Sequence, residues 1–283
     1  MRLVFLLLFF TSFLLAKIPD VVPVSWLKVH YKDPNLVIID VRDVNTYKQG
    51  HLKKAVNIPV FEKLFYGEKM IIPPLSNLRD IFSQAGIDDK SVILVYGGIN
   101  PIWSARFYWV SKVLGANNIG ILKVNYGNWD KKEFPTSTTN FKATYQNFIP
   151  KINNTILKTK LDVLTSLKKA YIVDGRPNQF YIGEKSHAKR YGHIANAINI
   201  PGSLTYNTKG VNRSIKDFDK LKKIYKKLDP KKPIILYCED GADAAMNFLI
   251  LKKLGYNASV YDGSWLEWGN NQHLPIEKGH RKK

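Results

Sequence analysis

The sequence predicts an α/β protein of two tandem domains, each a parallel sheet with helices on both faces. Four sequence blocks occur twice, in the same order, about 140 residues apart. Within each copy, short runs of Val, Ile, Leu and Tyr alternate with amphipathic stretches, the pattern of βαβ units. The length of 283 residues, with 45% hydrophobic and 23% charged side chains, suits two globular domains and excludes disordered, collagen-like and coiled-coil readings. A period this long marks whole domains and not a solenoid.

The chain opens with Arg2 and an apolar run over residues 3–15, broken only by Thr11 and Ser12. Thirteen residues reach about 20 Å as a helix, short of a bilayer core of roughly 30 Å. Residues 1–16 therefore read as a signal peptide, with Ala16 before the cleavage point and the mature chain starting at Lys17. Leu14 is large where such sites favour a small residue, so a retained N-terminal anchor is the alternative. No other stretch is apolar enough to span a membrane. The expectation is export to the periplasm, with no transmembrane span once the signal is removed.

The N-terminal domain, 17–134, contains the strand and D-x-R block at 37–42, ending Asp40-Val41-Arg42, and then the G-H block at 50–59. A strand over Val92–Tyr96 leads into a Gly-containing loop and a helix ending near Gly115, and the block at 125–129 closes the copy. Residues 135–150 show no helical period and read as a linker. The C-terminal domain, 151–283, repeats the series: Asp174 and Arg176 after a strand, the G-H block at 192–201, a strand over Ile234–Tyr237, a helix ending near Gly255, and Tyr261-Asp262-Gly263-Ser264-Trp265. The D-x-R pairs are expected to form internal ion pairs. His51 and His193, each beside Gly in a turn motif, are expected to be structural.

The formal charge is +20, from 43 Lys and Arg against 23 Asp and Glu. The densest basic run, Lys220 to Lys232, carries Leu221, Ile224, Tyr225 and Leu228 at helical spacing, so its lysines read as the solvated side of one helix. Together with export, that excludes nucleic acid as the expected partner; attraction to anionic lipid headgroups stays open. A single cysteine rules out an intramolecular disulfide and any multi-thiolate metal site, and no metal is expected.

The chemistry falls to that cysteine, Cys238. It follows the strand Ile234–Tyr237 and precedes Glu239, Asp240, Gly241, Ala242, Asp243 and Ala244, beyond which a helix runs to Leu254 with Gly255 as its C′ residue. A thiol between a strand end and a helix N-terminus sees backbone N–H groups and the positive end of the helix dipole, which favour thiolate. Gly241 allows the tight turn that aims those groups inward. The acidic neighbours argue against burial in an apolar core. The matching position in the first copy is Gly97 or Gly98, which have no nucleophile, so that domain shapes the cleft. Asn100, Trp103 and Arg106 are its candidates to face the thiol, and Trp265 is a further candidate at the cleft.

The combination of D-x-R, G-H-I/L-x-x-A-x-N-I-P, a Cys loop and Y-D-G-S-W-x-E-W resembles the tandem-domain rhodanese family over residues 23–269. The resemblance implies a catalytically silent first domain, a second carrying the cysteine, an active site at their interface, and no metal or organic cofactor. It implies a sulfurtransferase that moves a sulfane sulfur through a Cys238 persulfide to a thiol or cyanide acceptor. The alternative is a persulfide carrier with little turnover of its own. Family members that use thiosulfate carry basic residues after the Cys, and those of the 3-mercaptopyruvate branch carry small or hydroxyl residues there. Here Glu239, Asp240 and Asp243 occupy the loop, and Phe180 stands where an ungapped match places a substrate-contacting Arg. Carboxylates beside the thiol oppose its ionisation and repel a dianion. Thiosulfate is therefore disfavoured as donor, and two alternatives stay open. Either lysines of the first domain or of the 220–232 helix line the cleft and restore positive potential, or the donor is a protein or small-molecule persulfide. Polysulfide and 3-mercaptopyruvate stay among the candidates.

Overall fold

A computed structural model of the chain describes residues 17–127, 133–207 and 214–279. The signal sequence proposed for 1–16 and the end of the block at 125–129 lie outside the described residues. The first copy runs β1 (Val21–Val22), α1 (Val24–His30), β2 (Leu36–Asp40), α2 (Val44–Lys48), β3 (His51–Leu52), β4 (Ala55–Asn57), α3 (Val60–Lys63), α4 (Leu75–Gln84), β5 (Val92–Tyr96), α5 (Ile102–Val113), β6 (Ile119–Leu122) and β7 (Thr136–Ser137). The second runs β8 (Leu157–Lys158), α6 (Lys160–Ser166), β9 (Tyr171–Asp174), α7 (Asn178–Tyr181), β10 (His193–Ile194), β11 (Ile198–Asn199), a 3-10 turn (Gly202–Thr205), α8 (Phe218–Tyr225), β12 (Ile234–Tyr237), α9 (Ala242–Lys253), β13 (Ala258–Tyr261), α10 (Ser264–Trp268) and β14 (Ile276–Glu277).

Each copy builds a five-stranded parallel sheet, in order β1-β6-β5-β2-β4 and β8-β13-β12-β9-β11. Position by position the two orders are the same. A two-stranded antiparallel clip closes each copy, β3 with β7 and β10 with β14. The central strands β5 and β12 are buried at every residue, as strands covered on both faces must be.

The repeated motifs have one structural purpose, carried out twice. Asp40 accepts from Arg42 Nη2 at 2.5 Å, and Asp174 from Arg176 Nη2 at 2.6 Å. Each guanidinium also reaches a glycine carbonyl of the G-H motif, Gly50 or Gly192, at 2.7 Å. The motif's asparagine completes the bracket: Asn57 Nδ2 donates to the carbonyls of Asp40 and Arg42, and Asn199 Nδ2 to those of Asp174 and Arg176. His51 and His193 are buried, with Nδ1 donating to the carbonyls of Tyr47 and Tyr181 on which their rings stack. These polar residues hold strand ends to turns.

Residues 135–150 contain no helix, but they are bound to the first domain along their length. Thr136–Ser137 is that domain's closing strand, the counterpart of Ile276–Glu277. Phe148 is buried against the Phe82 ring at 4.9 Å, while its N–H donates to Ser83 Oγ. The scattered Phe141, Tyr145 and Phe148 follow no helical or strand period, which is why this strap reads as a free linker in sequence.

The domains meet chiefly through α5 and α9, the matching helices of the two copies. Both are buried on nearly every side, the pattern of helices packed between two sheets. Leu221 and Tyr225 of α8 are buried as the apolar spacing predicts, although the helix ends at Tyr225 and Leu228 is buried in the turn beyond it.

Candidate active site

Cys238 leaves the carboxyl end of β12 and enters α9 through a turn made at Gly241, whose φ of +91° lies in the region glycine adopts without strain. The turn aims the Gly241 N–H at the sulfur, which accepts at 3.1 Å. Asp240 Oδ1 accepts from the Ala242 N–H at 3.1 Å and from the thiol at 3.7 Å. A second segment grips the cysteine from behind: Ser264 Oγ accepts from the Cys238 N–H, and the Trp265 N–H donates to the Cys238 carbonyl. Leu266 N–H donates to the Glu239 carbonyl in the same way. The Y-D-G-S-W motif is therefore the bed on which the cysteine loop lies.

Cys238 is 1% exposed and packs within the main apolar cluster, contrary to the exposure its acidic neighbours suggest. The neighbours turn aside. Asp240 closes the turn, and Glu239 lies between Arg176 Nη1 and His187 Nδ1, each at 3.7 Å. Burial also acts on the sulfur's acidity. Desolvation pushes the thiol well above its ordinary range, the charges of Asp240 and Asp243 add to this, and the N–H groups of Ala244 and Asp240 oppose it without prevailing. Burial thus opposes the thiolate that the helix dipole favours. Of the three loop carboxylates, Asp240 and Asp243 weigh on it, whereas Glu239 is committed to Arg176.

Asp243 is largely buried against Gly202, where an added Cβ would stand 2.7 Å from its Oδ1. Desolvation, then Asp240 and Asp174, raise its carboxyl to about 7. Ala242 and Ala244 are buried and let α9 approach its neighbours closely. Trp265 is fully buried, under the Arg176 guanidinium at 4.4 Å and donating from Nε1 to Ser186 Oγ; it is packing. Phe180 lies beside the His187 ring at 5.1 Å and offers no cation.

Of the three first-domain candidates, one reaches the loop. Asn100 Oδ1 accepts from the Ile102 N–H at the start of α5, and Trp103 joins an aromatic cluster with Phe61 and Phe65. Arg106 crosses the interface completely buried, and its Nη1 donates to Asp262 Oδ1 at 2.9 Å. That Nη1 fills the place where a side chain at residue 241 would begin, since an added Cβ would lie 2.6 Å from it. Asp262 also accepts from the Ile72 N–H, tying a second first-domain segment to the motif. Spacing alone could not reveal Asp262: its partner lies 156 residues away.

The register identifies the silent counterpart of Cys238. Tyr96 OH and Tyr237 OH accept from the equivalent Leu52 and Ile194 N–H groups, so Gly97 matches Cys238. A Cβ there would meet Ser104 Oγ at 2.9 Å and Val41 at 3.0 Å, so the space for a nucleophile is filled.

A model of the rhodanese-like domain matches the chain twice, over residues 23–132 and 157–271. The chain belongs to the rhodanese family. It is a sulfurtransferase of the tandem-domain architecture. This rhodanese is 28% identical to the sulfur carrier protein TtuD of Thermus thermophilus, over 92% of this chain and 98% of that one. Its fold matches SseA of Escherichia coli, described as a 3-mercaptopyruvate sulfotransferase, with a TM-score of 0.77 and 25% identity over 87% of this chain and 98% of that one. The anaerobic ergothioneine biosynthesis enzyme of Chlorobium limicola, 20% identical, shares the fold with a TM-score of 0.82 over 93% of this chain and 71% of that one.

Proposed function

We propose that this rhodanese is an exported sulfurtransferase that carries the transferred sulfur as a persulfide on Cys238. The observation that supports this most directly is the Cys238 sulfur at the mouth of α9, accepting from the Gly241 N–H with Asp240 Oδ1 beside it. The sulfur's electron pair forms the new S–S bond to the outer sulfur of the donor. The bond to the rest of the donor breaks, that remainder leaves with the pair, and the thiol proton passes to Asp240. The terminal sulfur then sits among loop N–H groups until a thiol or cyanide removes it. Asp240 and Asp243 repel a dianion more than a monoanion, so 3-mercaptopyruvate, a singly protonated polysulfide or a protein persulfide is the donor in preference to thiosulfate. The apolar run over residues 3–15 supports export to the periplasm, which N-terminal sequencing of the protein from a periplasmic fraction checks.

The expected result, by intact mass of the 17–283 protein, is a gain of one sulfur atom with polysulfide or 3-mercaptopyruvate. The gain is slower with thiosulfate, reversed by cyanide, and absent in Cys238→Ala. Failure of every donor to load the folded protein would refute the persulfide. The near-complete burial of the thiol favours one further reading, a carrier with little turnover. A stable adduct that is not discharged repeatedly to thiols or cyanide would select it.

A further inference from the structure

The basic charge has a location that the sulfur chemistry does not use. The chain enters the described structure at Lys17, and the adjoining Ile18 N–H donates to Asn118 Oδ1, beside the C-terminal end of α5. Lys112, on the last turn of α5, donates from Nζ to the Asn117 carbonyl at 2.6 Å. The Lys151 N–H donates to the Leu114 carbonyl, bringing the interdomain strap to the same helix end. Lys252 and Lys253 close α9, whose C-terminal end lies alongside, and Lys17 and Lys252 both act electrostatically on Lys112. The charges facing this end from the packed elements include Asp20, which accepts from Tyr108 OH at 2.6 Å.

The same surface exposes large apolar side chains. Ile149 and Ile152, flanking Lys151, are 67% and 42% exposed. Phe218 of α8 is 38% exposed, with Lys222 and Lys253 over its ring at 4.6 and 5.6 Å. Lysines interspersed with protruding apolar side chains suit a bilayer interface, where charge meets anionic headgroups and the apolar side chains enter the acyl boundary. A nucleic-acid surface has no use for exposed isoleucines.

We propose that the face formed by the C-terminal ends of α5 and α9, with Lys151 and its flanking isoleucines, docks the protein on an anionic lipid bilayer. α9 spans twelve residues, about 18 Å, so docking leaves the Cys238 loop at the far end of the helix. A membrane-docked sulfurtransferase would then work within reach of membrane-bound donors or acceptors.

The test is co-sedimentation of the 17–283 protein with vesicles of phosphatidylcholine alone or with phosphatidylglycerol added, at low and high salt. Binding is expected only with phosphatidylglycerol, and to weaken with salt. Lys252→Glu with Lys253→Glu should weaken it at least tenfold, from about fivefold per lysine. Ile149→Ser with Ile152→Ser should weaken it at unchanged net charge. Lys48→Glu with Lys53→Glu, on another surface of the first domain, should change it much less. All variants should keep Cys238 loading by small donors, which separates this proposal from the persulfide reading. Equal binding to neutral vesicles, equal losses from both lysine pairs, no effect of the isoleucine pair, or tighter binding to an oligonucleotide than to vesicles would overturn it.

Discussion

Arg106→Ala is expected to lower the stability of the protein by about 3–5 kcal/mol and to cut sulfur transfer with it, although residue 106 lies in the domain without a cysteine. Arg106 and Asp262 form a buried pair at 2.9 Å. Removing the cation leaves the Asp262 carboxylate in a desolvated place where burial already pushes its pKa up and Arg106 is the main opposing influence. Loss of Nη1 also opens the space beside Gly241, whose N–H holds the Cys238 sulfur. The structure therefore couples the two losses. Arg106→Lys should recover part of the stability while failing to restore the fork that also reaches the Leu64 and Met70 carbonyls. Urea unfolding and single-turnover loading of Cys238 measure the two effects separately. A stable Arg106→Ala protein with normal loading would show that the pair is dispensable.

Asp243→Asn should have the opposite sign, stabilising the protein and activating its thiol. In the unfolded chain the Asp243 carboxyl titrates near 3.8, whereas in the folded protein it holds its proton to about 7. As pH rises through that window the unfolded state releases the proton first, so folding grows progressively less favourable. Above about 7 the whole cost is present, on the order of 4 kcal/mol. The Asn variant lacks it and should be more stable at pH 8, with little difference at pH 4. The charge of Asp243 also raises the thiol, so the variant should react faster with iodoacetamide at pH 8. Below pH 6 the native carboxyl is already neutral and the rates should converge. Equal stabilities at pH 8 would show that folding does not raise the Asp243 carboxyl, and equal rates that its charge does not act on the thiol.

Local order was readable wherever the chain repeats itself. The strand blocks, the D-x-R pairs and the helix ends at Gly115 and Gly255 follow from composition and spacing over a few residues, and the structure places them so. What stayed hidden depends on direction or on distance. The residue type at 239 or 240 does not say that one carboxylate turns to Arg176 and the other closes a turn, and so the burial of Cys238 was misread. Nor does any local pattern join Arg106 to Asp262, or Phe148 to Phe82, because the partners are brought together only by the packed fold.

The contact between α5 and α9 has a consequence for how such a molecule arises. Equivalent helices of equivalent domains face one another, as the same patch does on both subunits of an isologous dimer. The strap through residues 135–150 thus joins what would otherwise be two protomers. Fusion frees one of them from selection for reactivity. One half carries Gly97 where the other carries Cys238, with the space around it filled, and serves as a fixed partner for the half that bears the thiol. Expressed alone, the C-terminal half would lack its Arg106 and bare the buried side of α9, so it should seek a second copy of itself.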